Sequence, residues 1–449
     1  MDIFGNTQAK VIPLELSENQ FQIYNKISRN YSHSFLFESL TGPEELSETS
    51  VMGFDPHVIF KGYSDKVEIT QNRITKIIET EDPFVELKKL VVESQDQRYR
   101  YLGGAVGVVN YDAVRLVENL PDIHKSAQPL MEFGIYDDGI LYDNIHKKLF
   151  YFYHNQNRFD QFKISEDSFN DFNATETIPN MNQDQFSNIV NRAKQYIYDG
   201  DIFQVVLSRK FTFDADGDNL TLYKTLRSLN PSPYMYHLKN DNKIIIGASP
   251  EMLVRITNDK VETFPIAGTR EITNDEGKNK KLAYELLHDE KELAEHTMLV
   301  DLGRNDIGRI CKYGTVHTEE LMQIKRFSHV QHIITHVVGD LAPTNDMFDA
   351  FKAVFPAGTV SGAPKVRAME IIDELETEPR GPYAGAVGYF SFNGCCDFAI
   401  AIRSIFINGN KGFVQSGAGI VSDSSAENEF KETEHKASAM LQALKEASK

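Results

Sequence analysis

The 449-residue sequence predicts a protein of mixed α and β structure, and three observations carry that expectation. Runs rich in β-branched and aromatic residues, such as IFQVVLSRKFTF and NDNKIIIGAS, read as strands. The stretches 183–198, 274–300 and 424–444 place apolar residues at helical spacing. Turns rich in Gly, Pro, Asn and Asp separate these runs, and no period of about 20 to 50 residues recurs as in a solenoid.

Composition narrows the class. With 41% hydrophobic and 25% charged residues the chain can build a large core, and it has no apolar run near the roughly eighteen residues of a membrane span. The N-terminus, MDIFGNTQAKVIPLEL, lacks a basic region followed by an apolar one, so no secretory leader and no membrane anchor are expected. Cys311, Cys395 and Cys396 are too few for a disulfide framework and fit a reducing, cytoplasmic setting. The formal net charge of −18 opposes nucleic acid and anionic membranes, because phosphates need neutralising Lys and Arg. A small anion can still bind where a cation or a few basic side chains reverse the local field.

Taken in order, HSFLFESL is β-prone, VMGFDPHVIFKGY reads as two short strands around an Asp-Pro turn, and YLGGAVGVVNYDAVRL as a strand of small residues leading to a helix. GILYDNIHKKLFYFYHN alternates and suggests a hairpin. The polar stretch 155–182 offers little periodicity and marks a boundary or long surface connection. After it come a helix, a turn at Asp199 and Gly200, and a strong strand. DADGDNL falls short of a calcium loop, since Asn219 and Thr225 stand where Gly and Glu are needed, and it reads as a turn. LRSLNPSPYMYHLKNDNKIIIGASPEMLVRI supplies a helix end and two or three strands, and VETFPIAGTREI a strand meeting a loop.

In 274–300, Leu282, Leu286, Leu293 and Ala294 mark an apolar helical stripe, and Glu292 and Glu295 sit three apart. HVQHIITHVVGDL carries His329, His332 and His336 on a β-branched strand. There His332 and His336 share a face about 13 Å apart at about 3.3 Å per residue, too far for one metal. At most one of these histidines is chemical. FPAGTVSGAPKVRAMEIIDELE is a loop into a helix, with Pro364 at an early helical position. RGPYAGAVGYFSFNGCCDFAIAIRSIFINGNKGFVQSGAGI reads as a strand meander, with Arg403 on the same face as Ala399 and Ala401, either an edge-strand charge or a buried anion anchor.

The stretch 417–436, GAGIVSDSSAENEFKETEHK, joins a glycine-rich turn to a helix. Ser424 and Ser425 offer capping oxygens, with Glu427 and Glu429 in the first turn. Phe430, Ala437, Met440, Leu441 and Leu444 form its apolar face, beside Glu429 and Glu432. Four carboxylates on two helices, Glu292, Glu295, Glu429 and Glu432, are either solvated acidic faces or an oxygen-rich site suited to magnesium. Glu432 and Lys436 also form a well-oriented i,i+4 pair.

The strings GDIFQVVLSR, NPSPYM, GASPEML, PIAGTR, EHTMLVDLGRNDIGRI, FPAGTVSGAPKVRAMEIIDELE, RGPYAGAVGY, AIAIRS and GAGIVSDSSAENEFKETEHKA follow one another in this order. Together they resemble the chorismate-utilising enzymes and, among them, the anthranilate synthases. The resemblance runs over roughly residues 183–445 of the 449. It implies an α/β (α+β mixed) fold of large antiparallel-rich sheets packed face to face with helices outside, the N-terminal part interleaved with the catalytic core. The division it implies is an N-terminal regulatory and structural region, 1–182, and a chorismate-binding catalytic domain, 183–449.

The same resemblance implies that Glu292, Glu295, Glu429 and Glu432 hold Mg2+. It places contacts to the chorismate carboxylates at Tyr383, Arg403, the backbone of Gly417, Ala418 and Gly419, and Lys436, with Thr359 lining the site. Glu251 matches the general acid, and His332 the residue assisting the second, aromatising step. Family members that add water use a lysine where this chain has Gln204, and aminodeoxychorismate synthases carry a nucleophilic lysine where it has Ala267. Glutamine cannot deprotonate water and alanine offers no amine. What remains is attack of ammonia on chorismate to give anthranilate and pyruvate, the first step of tryptophan biosynthesis. Aminodeoxychorismate synthase component I is the alternative enzyme, and a non-catalytic chorismate- or tryptophan-binding protein the alternative of another class.

No cysteine nucleophile elbow is visible, so a separate glutamine amidotransferase subunit is expected as partner in a hetero-oligomer. FLFES and NPSPYM further resemble a tryptophan feedback site, with Glu38 and Ser39 on the amino acid's polar groups and Pro233, Tyr234 and Met235 on its indole. The alternative for Glu38 is a buried strand residue. The following segment, LTGPEELSETSVMGF, departs from the family's arrangement.

Overall fold

Alternation along each strand sends successive side chains to opposite faces, and in this chain both faces are apolar over long stretches. In His33–Glu38, Phe35 joins a core between two sheets while Leu36 joins one beneath a helical layer. The structure, a computed structural model, describes residues 8–449 apart from 43–47, 92, 122, 125–126 and 328–329. His329, the first seven residues and part of LTGPEELSETSVMGF lie outside the described residues.

Two antiparallel sheets result. The first runs in the order Lys10–Leu14, Lys148–Tyr153, Asp138–Asp143, Thr49–Phe54, His33–Glu38, Tyr234–Asn240, Lys243–Ser249, Ser404–Asn408, Lys411–Ile420, Gln204–Gly217 and Phe172–Ala174. The second runs Ile266–Glu271, Val330–Asp340, Lys260–Thr263, Met252–Thr257, Cys396–Ile400, Ala386–Ser391, Gly104–Val109, Met131–Tyr136, Val58–Gly62, Lys66–Gln71 and Ile74–Glu79. Strands from before and after residue 182 pair in both sheets, His33–Glu38 with Tyr234–Asn240 and Gly104–Val109 with Ala386–Ser391. The interleaved, antiparallel architecture expected of the chain is therefore present.

The sheets bury Phe35, Tyr236 and Phe406 of one against Phe133, Phe390 and Phe398 of the other. Truncating such a ring to alanine costs about 3–5 kcal/mol. Outside the first sheet, helices Gln20–Ser28, Asn219–Leu229 and Ala426–Ala447 cover Leu36, Met52, Met235 and Ile246. Gln183–Tyr198, capped by Asn182 in a reciprocal capping box, packs with Lys365–Leu375 on Val205, Leu207, Ala418 and Ile420.

Several local expectations change. The stretch 274–300 is two helices, Glu276–Leu286 and Glu290–Gly308, because Asp289 caps the second. Its buried face is His296, Leu299, Val300 and Ile307, not Leu293 and Ala294. DADGDNL is not a free turn: Asp214 and Asp216 end a strand, and Asp218 caps the next helix. The helix after the strand of small residues is a short 3-10 segment, Tyr111–Leu116. Pro364 is the N-cap, not an early helical residue, and Ser425, the N-cap of the last helix, makes no side-chain capping bond.

The largest change concerns the C-terminal meander. Ala386–Ser391 and Cys396–Ile400 belong to the second sheet, Ser404–Asn408 and Lys411–Ile420 to the first. Arg403 stands in the crossover between them with φ of 51°, not on a strand with Ala399 and Ala401. Alternation cannot reveal this, because a strand that changes sheets keeps its period up to the switch.

Candidate active site

Two crossovers lie side by side. The chain passes from the first sheet to the second between Ser249 and Met252, and back between Ile400 and Ser404. Backbone bonds stitch them, Ile400 N–H to the Glu251 carbonyl at 3.0 Å and Ala248 N–H to the Arg403 carbonyl at 3.0 Å. This seam presents Glu251 and Arg403 together.

Glu251 is only 8% exposed. Burial pushes its carboxyl from 4.5 up to about 7, opposed by the nearby Thr359 hydroxyl and the Lys436 charge. The Thr359 hydroxyl is itself buried and makes no well-aligned hydrogen bond. A cavity of about 40 Å³ adjoins both residues, with Leu299, Leu302 and Asp306 on another wall.

The edge formed by Gln204–Gly217 and Lys411–Ile420 closes another side. A Cβ at Gly417 would stand 2.9 Å from Tyr383 Oη and from Val206 Cγ1 and 3.1 Å from the Leu207 carbonyl, so the close approach there needs glycine. Gly419 faces the Gln204 amide, whose Nε2 a Cβ would meet at 2.6 Å. Lys436 donates to the Gly417 carbonyl at 3.1 Å and pairs with Glu432 at 2.6 Å, and Arg403 Nη1 donates to the Lys436 carbonyl at 2.8 Å. Ala418 points the other way, into the helical cluster, leaving only its backbone toward this edge. Tyr383 is buried, and burial raises its phenol well above the ordinary range.

His332 bonds the Gly268 carbonyl through Nδ1 at 2.8 Å. A carbonyl only accepts, so Nδ1 carries the proton and Nε2 is left as the basic nitrogen. Burial holds this imidazole below its usual pKa, with Arg403 acting in the same direction. His336, by contrast, is occupied by Glu262 at 2.9 Å and stacks on Phe264.

Helices Glu290–Gly308 and Ala426–Ala447 bring their carboxylates into one electrostatic neighbourhood. Burial raises Glu295, and Glu292 and Glu432 raise it further; burial likewise raises Glu429, with Glu432 adding to it. Glu292 is held by Arg270 at 2.9 Å, Glu432 by Lys436, and Glu295 by Gln204 Nε2 at 3.3 Å. Among the described residues no three such side chains close into a metal-binding group. Mutually repelling oxygen donors, two of them drawn off by cationic side chains, fit a divalent cation by charge and donor type.

The residues expected to form a tryptophan feedback site divide. Glu38 is saturated by the Tyr223 hydroxyl at 2.7 Å and by Arg227 at 2.7 and 3.0 Å. Met235 faces the helical layer with it, whereas Tyr234 donates to Asp397 at 2.9 Å on the opposite side of the strand. Ser39 has a buried hydroxyl without a partner, and Leu40 N–H bonds the Ser232 carbonyl, so FLFES and NPSPYM do meet. Pro233 packs against Gly42.

Sequence reasoning assigns no contact to Arg270, although it lies in the string PIAGTR. It also passes over the second capacity of Gln204, whose Oε1 is buried and unpartnered beside Gly419 and Glu295.

The sequence matches the chorismate binding enzyme family over residues 10–442, and the chain belongs to that family. It is 43% identical to anthranilate synthase component 1 of Methanothermobacter thermautotrophicus, over 99% of this chain and 96% of that protein. It is 38% identical to aminodeoxychorismate synthase component 1 of Bacillus subtilis, over 97% and 96%. The crystal structure of anthranilate synthase component I from Streptococcus pneumoniae is similar at a TM-score of 0.78 and 36% identity, covering 88% of this chain and 92% of that one.

Proposed function

We propose that this chain converts chorismate and ammonia to anthranilate, pyruvate and water. The observation that carries the reading is Glu251, a buried acid with a pKa of about 7 beside Thr359 and Lys436, in a chain 43% identical to an anthranilate synthase component 1. Ammonia attacks C2 of the ring, the ring double bond shifts, and the C4 hydroxyl leaves as water with the Glu251 proton. Gln204 Oε1, buried without a partner, accepts an ammonia N–H and orients the nucleophile. Arg403, Tyr383, Lys436 and the backbone of Gly417 and Gly419 hold the substrate carboxylates. His332 Nε2 then takes the C2 proton, the enolpyruvyl C–O bond breaks and the ring becomes aromatic, and the departing enolate takes a proton at its methylene carbon and leaves as pyruvate.

Glu292, Glu295, Glu429 and Glu432 would hold Mg2+ once Arg270 and Lys436 yield their carboxylates. Bound there, the ion supplies charge neutralisation and Lewis acidity toward an anionic substrate. The designation component 1 among the relatives supports a second component, which in this reading is a glutamine-hydrolysing subunit that supplies the ammonia in the cytoplasm. No described helix is long and apolar enough to cross a membrane. Tryptophan feedback rests on Ser39 and the adjoining Pro233.

Aminodeoxychorismate synthesis is the second reading, favoured by the Bacillus subtilis relative. Against it, Ala267 supplies no amine beside Gly268 and His332. Incubation with chorismate, Mg2+ and ammonium salt, followed by anthranilate fluorescence and chromatography, separates the readings. Anthranilate is expected. Accumulated aminodeoxychorismate would favour the second enzyme, and an inert mixture a binding protein.

A further inference from the structure

Arg380 is 2% exposed, and the site assignment gives it no role. Its guanidinium forms a fork on Glu376, with Nε at 2.9 Å and Nη2 at 2.7 Å. Two further bonds leave in different directions, Nη1 to the Val360 carbonyl at 2.7 Å and Nη2 to the Val206 carbonyl at 2.8 Å. Its carbon centre lies over the Tyr383 ring at 5.7 Å and the Tyr111 ring at 4.6 Å. Glu376 is fixed in turn by the Ser208 backbone N–H at 2.8 Å and hydroxyl at 2.7 Å.

Each tether ends one step from a proposed substrate contact. Val360 follows Thr359. Val206 pairs with Gly419 and its Cγ1 lies against Gly417, where a Cβ would meet it at 2.9 Å. Tyr383 carries the hydroxyl that faces Gly417. Val206 is far from the other two in the chain, and the Arg380 guanidinium bonds the Val206 and Val360 carbonyls while its carbon centre lies over the ring of Tyr383, three residues further on. A planar group with donors in fixed directions can hold two carbonyls and present its face to a ring at once; an ammonium on a flexible stem cannot.

We propose that Arg380 is a positioning residue that sets the spacing of Thr359, Gly417 and Tyr383 around the chorismate carboxylates without touching the substrate. The proposal rests on the functional reading above for the identity of the substrate, and on the geometry alone for the coupling of the three segments. Bidentate recognition of carboxylates is sensitive to such spacing, so loosening the anchor acts first on substrate binding.

The test compares Arg380→Lys with the wild type. Lysine keeps the charge opposite Glu376 and thereby avoids an unpaired buried carboxylate. The expected result is a KM for chorismate raised at least tenfold with a larger change in KM than in kcat, at an unchanged folded fraction by circular dichroism. Ser208→Ala, which removes one hydrogen bond to Glu376, should raise KM about threefold and keeps the test alive if the lysine variant does not fold. A KM within a factor of two of wild type in the folded variants, with any loss of kcat matching loss of folded protein, would overturn the proposal. Chorismate dissociation constants from equilibrium dialysis provide the independent arm. If the wild type makes no anthranilate, the functional reading fails, while unequal dissociation constants still support the anchor and equal ones overturn it.

Discussion

Glu251 and Glu295 are both carboxyls whose pKa is raised first by burial, yet they stand in opposite settings. Glu251 sits at the seam where two chain crossovers are stitched by backbone bonds, and the charge acting on it is the cation Lys436. Glu295 sits on a helix among other carboxylates, where Glu292 and Glu432 add to its rise and Gln204 and the shared cation Lys436 oppose it. The seam is a finished arrangement suited to delivering a proton. The helical wall is a set of competing negative charges, stable in its present form because Arg270 and Lys436 lean in from the sides.

Removing the carboxyl proposed as proton donor should break the seam's side of this contrast most severely. Glu251→Gln is expected to lower kcat by about 10²–10⁴, the range of a lost general acid, measured by anthranilate fluorescence. In the wild type, activity should fall as pH rises through about 7, where Glu251 loses its proton. Stability should move the other way in the variant. The benefit of a protonated Glu251 is full below its ordinary value of 4.5 and is lost as pH rises through about 7. Glutamine stays neutral throughout, so the variant should gain up to roughly 3 kcal/mol over wild type at pH 8 and nothing at pH 4. Thermal melts at the two pH values check this; equal melting temperatures at pH 8 would remove burial as the cause of the raised pKa.

The wall should respond to cations instead. Mg2+ is expected to raise the melting temperature of the wild type, and Glu295→Gln or Glu432→Gln should weaken the apparent Mg2+ affinity at least tenfold. Glu295 and Glu429 have raised pKa values, so their proton uptake on acidification should weaken Mg2+ binding before the fold is lost. Wild-type Mg2+ titrations and kinetics in either variant would take that residue out of the ligand set. A smaller effect is expected at His332, where His332→Asn should lower kcat about ten- to a hundredfold and let the aminated, non-aromatic intermediate accumulate in chromatograms. A slowed reaction without that intermediate would assign the histidine to the first step.

The same contrast explains what can be read from the sequence. Spacing three apart on a helix is local, so the pairs Glu292–Glu295 and Glu429–Glu432 are visible as possible ligands before any partner is known. Most strand positions are equally legible, because enrichment in β-branched and aromatic residues is also local. The crossovers are not. Alternation places Arg403 on a strand face because nothing in AIAIRSIFIN marks where hydrogen bonding passes from one sheet to the other, and its left-handed φ of 51° has no signature in an arginine. Arg380 and Arg270 escape for a related reason, since Arg380 gains its meaning from the Val206 and Val360 carbonyls and Arg270 from Glu292 on another element. The catalytic assignments come through resemblance to a family rather than through periodicity.

The feedback expectation is the place where the seam and its surroundings can be separated most finely. Glu38 and Ser39 are neighbours on the chain, but Glu38 is spent on Tyr223 and Arg227 while the Ser39 hydroxyl is buried and unpartnered. If tryptophan binds where FLFES meets NPSPYM, its polar groups find a free partner at Ser39 and none at Glu38. Micromolar tryptophan should then raise the apparent KM for chorismate, and Ser39→Ala should weaken inhibition about five- to tenfold, the worth of one hydrogen bond, with kcat unchanged. Glu38→Gln should instead lower the melting temperature, because it takes the charge from a carboxylate that Arg227 needs. Wild-type enzyme indifferent to millimolar tryptophan would remove the site, and inhibition lost in Glu38→Gln at full stability would return the ligand to the helical side of the strand, next to Met235.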